Sequence, residues 1–152
     1  PESLTRLLDM GMNPLNISDS FLAVLAQRLV RRLCADCIET YHPGQEEFDD
    51  IIADYGKKPF EQLGVAYTSD FELQRSLGCE KCNGSGYKGR LGIHELIKGT
   101  PEIKMLIKKQ ATSQDLSKQA VIDGMTTLKQ DGVHKAFDGV TDMGEVRRVC
   151  IE

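Results

Sequence analysis

Two short cysteine pairs are the residues of this chain best suited to chemistry: Cys34-Ala35-Asp36-Cys37 and Cys79-Glu80-Lys81-Cys82, held apart by 41 residues. Four thiolates supplied by two tight turns are the ligand set of a tetrahedral structural zinc site, and four protein ligands leave no open position for a catalytic water. The spacing therefore predicts a structural Zn2+ on Cys34, Cys37, Cys79 and Cys82, against the bland alternative of four free buried thiols. An iron–sulfur cluster takes the same ligand type, but this spacing gives no positive sign of one. A redox Cys-x-x-Cys normally occurs once, beside a strand–helix junction. The chain has five cysteines, and two knuckles plus a lone Cys150 fit a reducing compartment with a metal better than a disulfide framework.

Other candidate chemistry is thinner. His94 and Glu95 follow a glycine-rich turn, but neighbours on a strand face opposite ways and cannot grip one substrate atom together. His94 reads more readily as a hydrogen-bonded structural histidine than as a cleft residue, and His42 and His134 read as surface residues. The glycines from 84 to 92 invite comparison with a phosphate loop. However, no Gly-x-x-x-x-Gly-Lys-Ser/Thr is present, and the turn does not lead into a helix N-terminus. No Gly-x-Ser-x-Gly or His-Glu-x-x-His occurs either. This stretch by itself is expected not to hydrolyse nucleotide, and no catalytic residue is assigned.

The elements that must position the cysteines follow from caps and periodicity. Ser3 to Met10 reads as a short helix ended by Gly11. Ser18 then caps a predicted second helix in which Leu22, Leu25, Leu29 and Leu33 form an apolar stripe. Arg28, Arg31 and Arg32 would share its opposite face as a cationic patch, most simply a solvated one. Between the knuckles an acidic helix spans Gln45 to Tyr55, with Phe48, Ile51 and Ile52 inward. Gly56-Lys57-Lys58-Pro59 breaks it, and residues 60–77 show mixed periodicity that assigns no element. Leu91 to Ile97 reads as a strand, which needs a partner to be stable.

From Thr100 the pattern is helical. Helices are expected near 101–109 and 113–123, the latter with Leu116, Ala120 and Val121 inward, and then after capping boxes Thr127/Gln130 and Asp142/Glu145. The fold class is mainly α with a small β component (α+β).

Composition agrees with a globular chain: 152 residues, 40% hydrophobic and 28% charged. With 19 basic against 23 acidic residues the net charge is −4, which argues against a dedicated nucleic-acid binder. No apolar run reaches the ~20 residues of a membrane helix, and no signal-peptide pattern is seen, so a cytosolic chain is expected. The chain begins without a start methionine and reads as an excised piece of a longer protein.

Assembled in order, the motifs resemble a known family. Leu25-Ala26-Gln27-Arg28-Leu29-Val30-Arg31-Arg32-Leu33-Cys34, then Gly78-Cys79-Glu80-Lys81-Cys82-Asn83-Gly84-Ser85-Gly86-Tyr87-Lys88-Gly89-Arg90-Leu91-Gly92-Ile93-His94-Glu95, is similar to the C-terminal part of the secretion ATPases of type II secretion and type IV pilus assembly. Gly124 to Gly132 and Gly139 to Arg148 extend the likeness over nearly the whole chain.

The resemblance implies a hexameric ATPase, cytoplasmic and peripheral on the inner membrane, that works with inner-membrane secretion or pilus platform proteins and uses ATP and Mg2+ in the full-length parent. It places the P-loop, acidic boxes and histidine box upstream of Pro1. It implies that 1–33 is the tail of a RecA-like core and 34–88 a tetracysteine zinc module. Residues 89–152 would be a strand returning to the core and a C-terminal helical bundle. It also places Arg90 at the rim of the parent's nucleotide pocket. Asp36 stands where the family often carries histidine or another polar residue.

The rival reading is a free-standing zinc-knuckle adaptor for protein or nucleic acid. Asp36, Glu39, Glu46, Glu47, Asp49 and Asp50 around the first knuckle, and aromatics at only 6%, count against nucleic acid as the partner.

Overall fold

The computed structural model describes residues 2–150; the outer limits drawn at 1 and 152 lie outside them. The strand expected at 91–97 is longer than predicted: β4 runs Tyr87–Lys98, and its partner is β1, Ala23–Leu33. The ribbon is antiparallel. The Cys34 N–H donates to Gly86 O at 2.9 Å beyond one end, and the Gly99 N–H to Leu22 O at 2.7 Å beyond the other.

This corrects the predicted helix from Ser18 to Leu33. Ser18 is instead buried within a short helix α2 (Pro14–Ser20), whose N-cap is Asn13. The leucine stripe that suggested a helix buries little, since Leu22 and Leu25 are 84% and 58% exposed while Val30 and Leu33 are buried. Leucine and arginine favour helix locally, but β4 requires a partner for its backbone groups, and pairing overrides a propensity of a few tenths of a kcal/mol per residue. Strand alternation then splits the predicted cationic patch, with Arg31 on the face opposite Arg28 and Arg32.

The chain divides into two compact units. The first comprises residues through Ala26 with His94–Thr127, the second Gln27–Ile93 with the residues from Leu128 onward.

In the first unit, α1 (Glu2–Asp9), α2, α5 (Pro101–Lys108) and α6 (Ser113–Ile122) bury Leu4, Ile17, Phe21, Ile103, Ile107 and Leu116. Thr100 and Thr112 cap α5 and α6 by accepting from the Ile103 and Asp115 N–H groups. Leu116 and Ala120 face inward as expected, whereas Val121 is half exposed. Residues four apart share a helix face and residue 121 has turned off it.

In the second unit, β2 (Ile38–Tyr41) pairs antiparallel with β3 (Leu73–Ser76), in the register Ile38 opposite Ser76 through Tyr41 opposite Leu73. The stretch at 60–77 that periodicity left unassigned thus contains part of α4 (Lys57–Glu61), then a loop, then β3. Helices α3 (Gln45–Tyr55), α7 (Leu128–Phe137) and α8 (Met143–Val149) close an aromatic-rich core. There Phe48 meets the rings of Phe60, Tyr67 and Phe71 with centroids 5.0–5.6 Å apart, close to the preferred range for aromatic pairs. His134 belongs to this packing rather than to the open surface, its Nε2 lying 3.0 Å from the Tyr55 hydroxyl.

Helices α7 and α8 pack tightly at Gly132, where an added Cβ would lie 2.6 Å from Val146 Cγ1. Gly132→Ala gains up to ~1 kcal/mol of helix propensity but forces two packed helices apart, a strain of ~1–3 kcal/mol. Denaturant unfolding is expected to show a net loss of stability rather than the gain an exposed helical glycine would give.

Candidate metal centre

The first knuckle begins one residue after β1 ends, and the Cys37 N–H returns to Cys34 O at 3.2 Å to close its turn. The second is a single 3-10 turn, Glu80–Cys82, followed by Asn83 in the left-handed conformation. Gly78 sets its entry: its φ is +91°, and a Cβ there would lie 2.5 Å from Gly84 O. No other residue fits that backbone without displacing the knuckle.

All four sulfurs lie within 4.8 Å of one another. Cys34–Cys79 and Cys37–Cys82 are 3.9 Å apart and Cys79–Cys82 3.8 Å. Four thiolates at about 2.3 Å around a tetrahedral ion stand about 3.8 Å from each other, whereas a disulfide needs about 2.05 Å. The donor set therefore fits a metal ion, and the three short separations are too long for disulfides.

The backbone supports anionic sulfur in this group. Cys82 Sγ accepts the N–H groups of Cys79 at 3.1 Å and Gly86 at 3.2 Å. Those bonds hold its thiol down at about 6 against the opposing effect of burial. Burial pushes Cys37 up instead, with the neighbouring thiols adding to it, so the cluster needs a cation to take all four sulfurs as thiolates. Across the two knuckles, Lys81 Nζ meets Asp36 Oδ1 at 2.6 Å. Sequence reasoning placed Asp36 in the knuckle but missed this partner, which lies 45 residues away.

A second constellation escaped the sequence reading. Glu145 was expected to complete a capping box with Asp142. Asp142 does cap α8, accepting the Glu145 N–H at 2.9 Å, but the Glu145 carboxylate turns to β1. It accepts the Arg31 backbone N–H at 3.0 Å and the Arg31 guanidinium at 2.5 Å, and Arg148 donates through Nε and Nη2 at 2.8 and 2.9 Å. The carboxyl is 1% exposed as a residue. Burial pushes it up, but the bonds from Arg148 and Arg31 outweigh that and hold it well below the usual carboxylate range. Arg31 also covers the Tyr87 ring, 4.0 Å from its centroid, and the Tyr87 hydroxyl donates to Asp142 at 2.6 Å. Arg90 is exposed on β4 and lines a cleft of about 450 Å³ with Leu29, Arg31 and Arg148. His94 and Glu95 are successive residues of β4, both partly buried.

A family model described as "Type II/IV secretion system protein" matches residues 1–148. The chain is 40% identical over 150 residues to the type II secretion system ATPase E of Vibrio cholerae, covering 99% of this chain and 27% of that protein. It is 37% identical over 151 residues to the type IV pilus assembly ATPase PilB of Thermus thermophilus, 99% of this chain and 16% of the relative. With PilB of Pseudomonas aeruginosa it shares 36% over 148 residues, 97% of this chain and 24% of the relative. The chain belongs to the type II/IV secretion system protein family, and it spans about a quarter or less of the length of these relatives. Among the described residues no helix is long and apolar enough to cross a membrane.

Glu145→Gln keeps the side-chain volume but removes the charge that both arginines and the β1 edge depend on. At neutral pH it is expected to cost about 2–4 kcal/mol in denaturant unfolding. A carboxyl held low in the folded state stabilises fully above its unfolded value of about 4.3 and loses that contribution progressively as pH falls from there toward its depressed folded value. The gap between the wild-type and variant stability curves is therefore expected to begin narrowing below about pH 5 and to go on narrowing through pH 3 and beyond, any loss at the thiolates being common to both.

Proposed function

We propose that this chain is the C-terminal, zinc-clamped part of an ATPase that powers type II protein secretion or type IV pilus assembly. The matched relatives are named as ATPases of those two systems, and the likeness covers the length of this chain. The parent takes ATP with Mg2+, works as a homo-hexamer on the cytoplasmic face of the inner membrane, and engages the platform proteins of its machine. In this reading 1–33 is the tail of the RecA-like core, 34–88 the zinc module, and 89–152 the returning strand and helical extension, with Arg90 at the rim of the nucleotide pocket. The piece acts as a structural and inter-subunit module and does not itself turn over nucleotide. Nothing in the cleft or the cysteine cluster favours the adaptor reading over family membership.

The observation that supports the metal assignment is the gathering of four sulfurs within 4.8 Å of one another, with three of their six separations at 3.8–3.9 Å, the edge of a tetrahedral thiolate site. Cys34, Cys37, Cys79 and Cys82 would hold Zn2+, which among common ions suits four thiolates in a closed tetrahedral site. The ion would supply a cross-link and no catalysis.

The purified protein is expected to carry about one zinc per chain. Chelation is expected to lower its Tm by ten degrees or more, as removing ~4 kcal/mol does to a domain this size. Metal-free protein with an unchanged Tm in chelator would refute the clamp.

A further inference from the structure

Three arginines meet in one cleft of the second unit, brought there by β1, β4 and α8: Arg31, Arg90 and Arg148, with Leu29 as an apolar wall. Like charges on three elements repel one another, so their convergence needs a reason. Glu145 supplies part of it. It is bonded to both Arg31 and Arg148 and restrains their guanidinium groups, while the Tyr87 ring packs against Arg31. Arg90 has no carboxylate partner among the described residues and remains exposed at the opening. Each guanidinium has five N–H donors. Arg31 gives its carboxylate bond through Nη2, and Arg148 through Nε and Nη2, so both keep donors for a further acceptor.

Counting charge, three guanidiniums less the carboxylates of Glu145 and Asp142, the latter held beside Arg31 by the Tyr87 hydroxyl, leave the cleft about one positive charge in excess. That suits a phosphate group, whose negative charge and several acceptor oxygens can take donors from more than one arginine. Pre-organised guanidinium forks recognise phosphate through paired, charge-assisted hydrogen bonds, where lysines would offer point charges.

We propose that the cleft of Arg31, Arg90 and Arg148 is a phosphate-binding site, with Glu145 as the positioning residue that holds two of its three arginines in place. This goes beyond the placement of Arg90 at the rim of a nucleotide pocket and does not depend on it. The shared chemistry is a phosphate group, whose source is free phosphate, a nucleotide or a phospholipid headgroup.

The test uses the whole chain and three probes: inorganic phosphate, ADP, and phosphatidylcholine vesicles with and without phosphatidylglycerol. Arginine Nε–H resonances report the soluble probes, and co-sedimentation reports the vesicles. Phosphate is expected to shift the Arg31, Arg90 and Arg148 signals saturably. Arg90→Gln is expected to weaken that binding about ten- to a hundredfold, the effect of one charge-assisted hydrogen bond. Arg90 is exposed, so its variant is expected to keep the wild-type Tm and zinc content, which separates loss of the site from loss of the clamp. Arg28→Gln, on the opposite face of β1 from Arg31, is expected to bind as wild type. A tighter, Arg90-dependent response to ADP names a nucleotide as the source, Arg90-dependent retention on phosphatidylglycerol vesicles names a headgroup, and neither names free phosphate. The proposal is overturned if phosphate leaves the three signals unshifted, if Arg90→Gln binds as wild type, or if Arg28→Gln weakens binding equally.

Discussion

Four sulfur atoms meet where β1 has just ended and β4 is about to begin, and the second unit depends on that meeting. The chain between them leaves the ribbon at Cys34 and is back at Cys82, after building β2, α3, α4 and β3. Closing a loop of that length by a cross-link removes about 4 kcal/mol of chain entropy from the unfolded state, a large part of a small domain's stability. The backbone prepares the closure. Gly78 lets the second knuckle turn tightly enough to reach the first, and the Cys79 and Gly86 N–H groups point at the Cys82 sulfur.

The same region shows how a two-stranded ribbon avoids an open edge. Among the described residues β1 has β4 on one side and no strand on the other, yet toward its C-terminal end three of its backbone groups there have partners. The Leu33 N–H goes to Val140 O, Arg31 O accepts from the buried Thr141 hydroxyl, and the Arg31 N–H is taken by Glu145. The turn between α7 and α8 and the start of α8 replace a third strand, largely with side chains. The constraint explains why a glutamate well placed for a capping box is used otherwise. Its carboxylate satisfies the strand backbone and gathers two arginines at once, which a box with Asp142 would not have done.

Much of this was legible in the sequence, for physical reasons that differ between parts. The meeting of the four cysteines could be read because a Cys-x-x-Cys pair defines its own local geometry. The helices from Pro101 to Val149 could be read because Thr100, Thr112 and Asp142 satisfy backbone donors within three residues. β1 was misread because its leucines and arginines carry a helical period, while the deciding partner lies some 60 residues on; the unpaired strand at 91–97 was the clue that a second strand had to exist. Glu145 with Arg31, 114 residues apart, and Arg90 beside Arg148 could not be seen at all. Residue spacing reports neighbours along a helix or strand, and those meetings are set by how the ribbon and α8 pack. Family membership follows from the match over residues 1–148, whereas the cleft follows from geometry alone.

The central claim is that a single ion joins the two knuckles through four cysteine sulfurs. Zinc K-edge X-ray absorption on the purified chain tests it most directly. One shell of four sulfurs at about 2.3 Å is the result the account predicts. A shell containing nitrogen or oxygen, or a chain with no stoichiometric zinc and free thiols throughout, would contradict it.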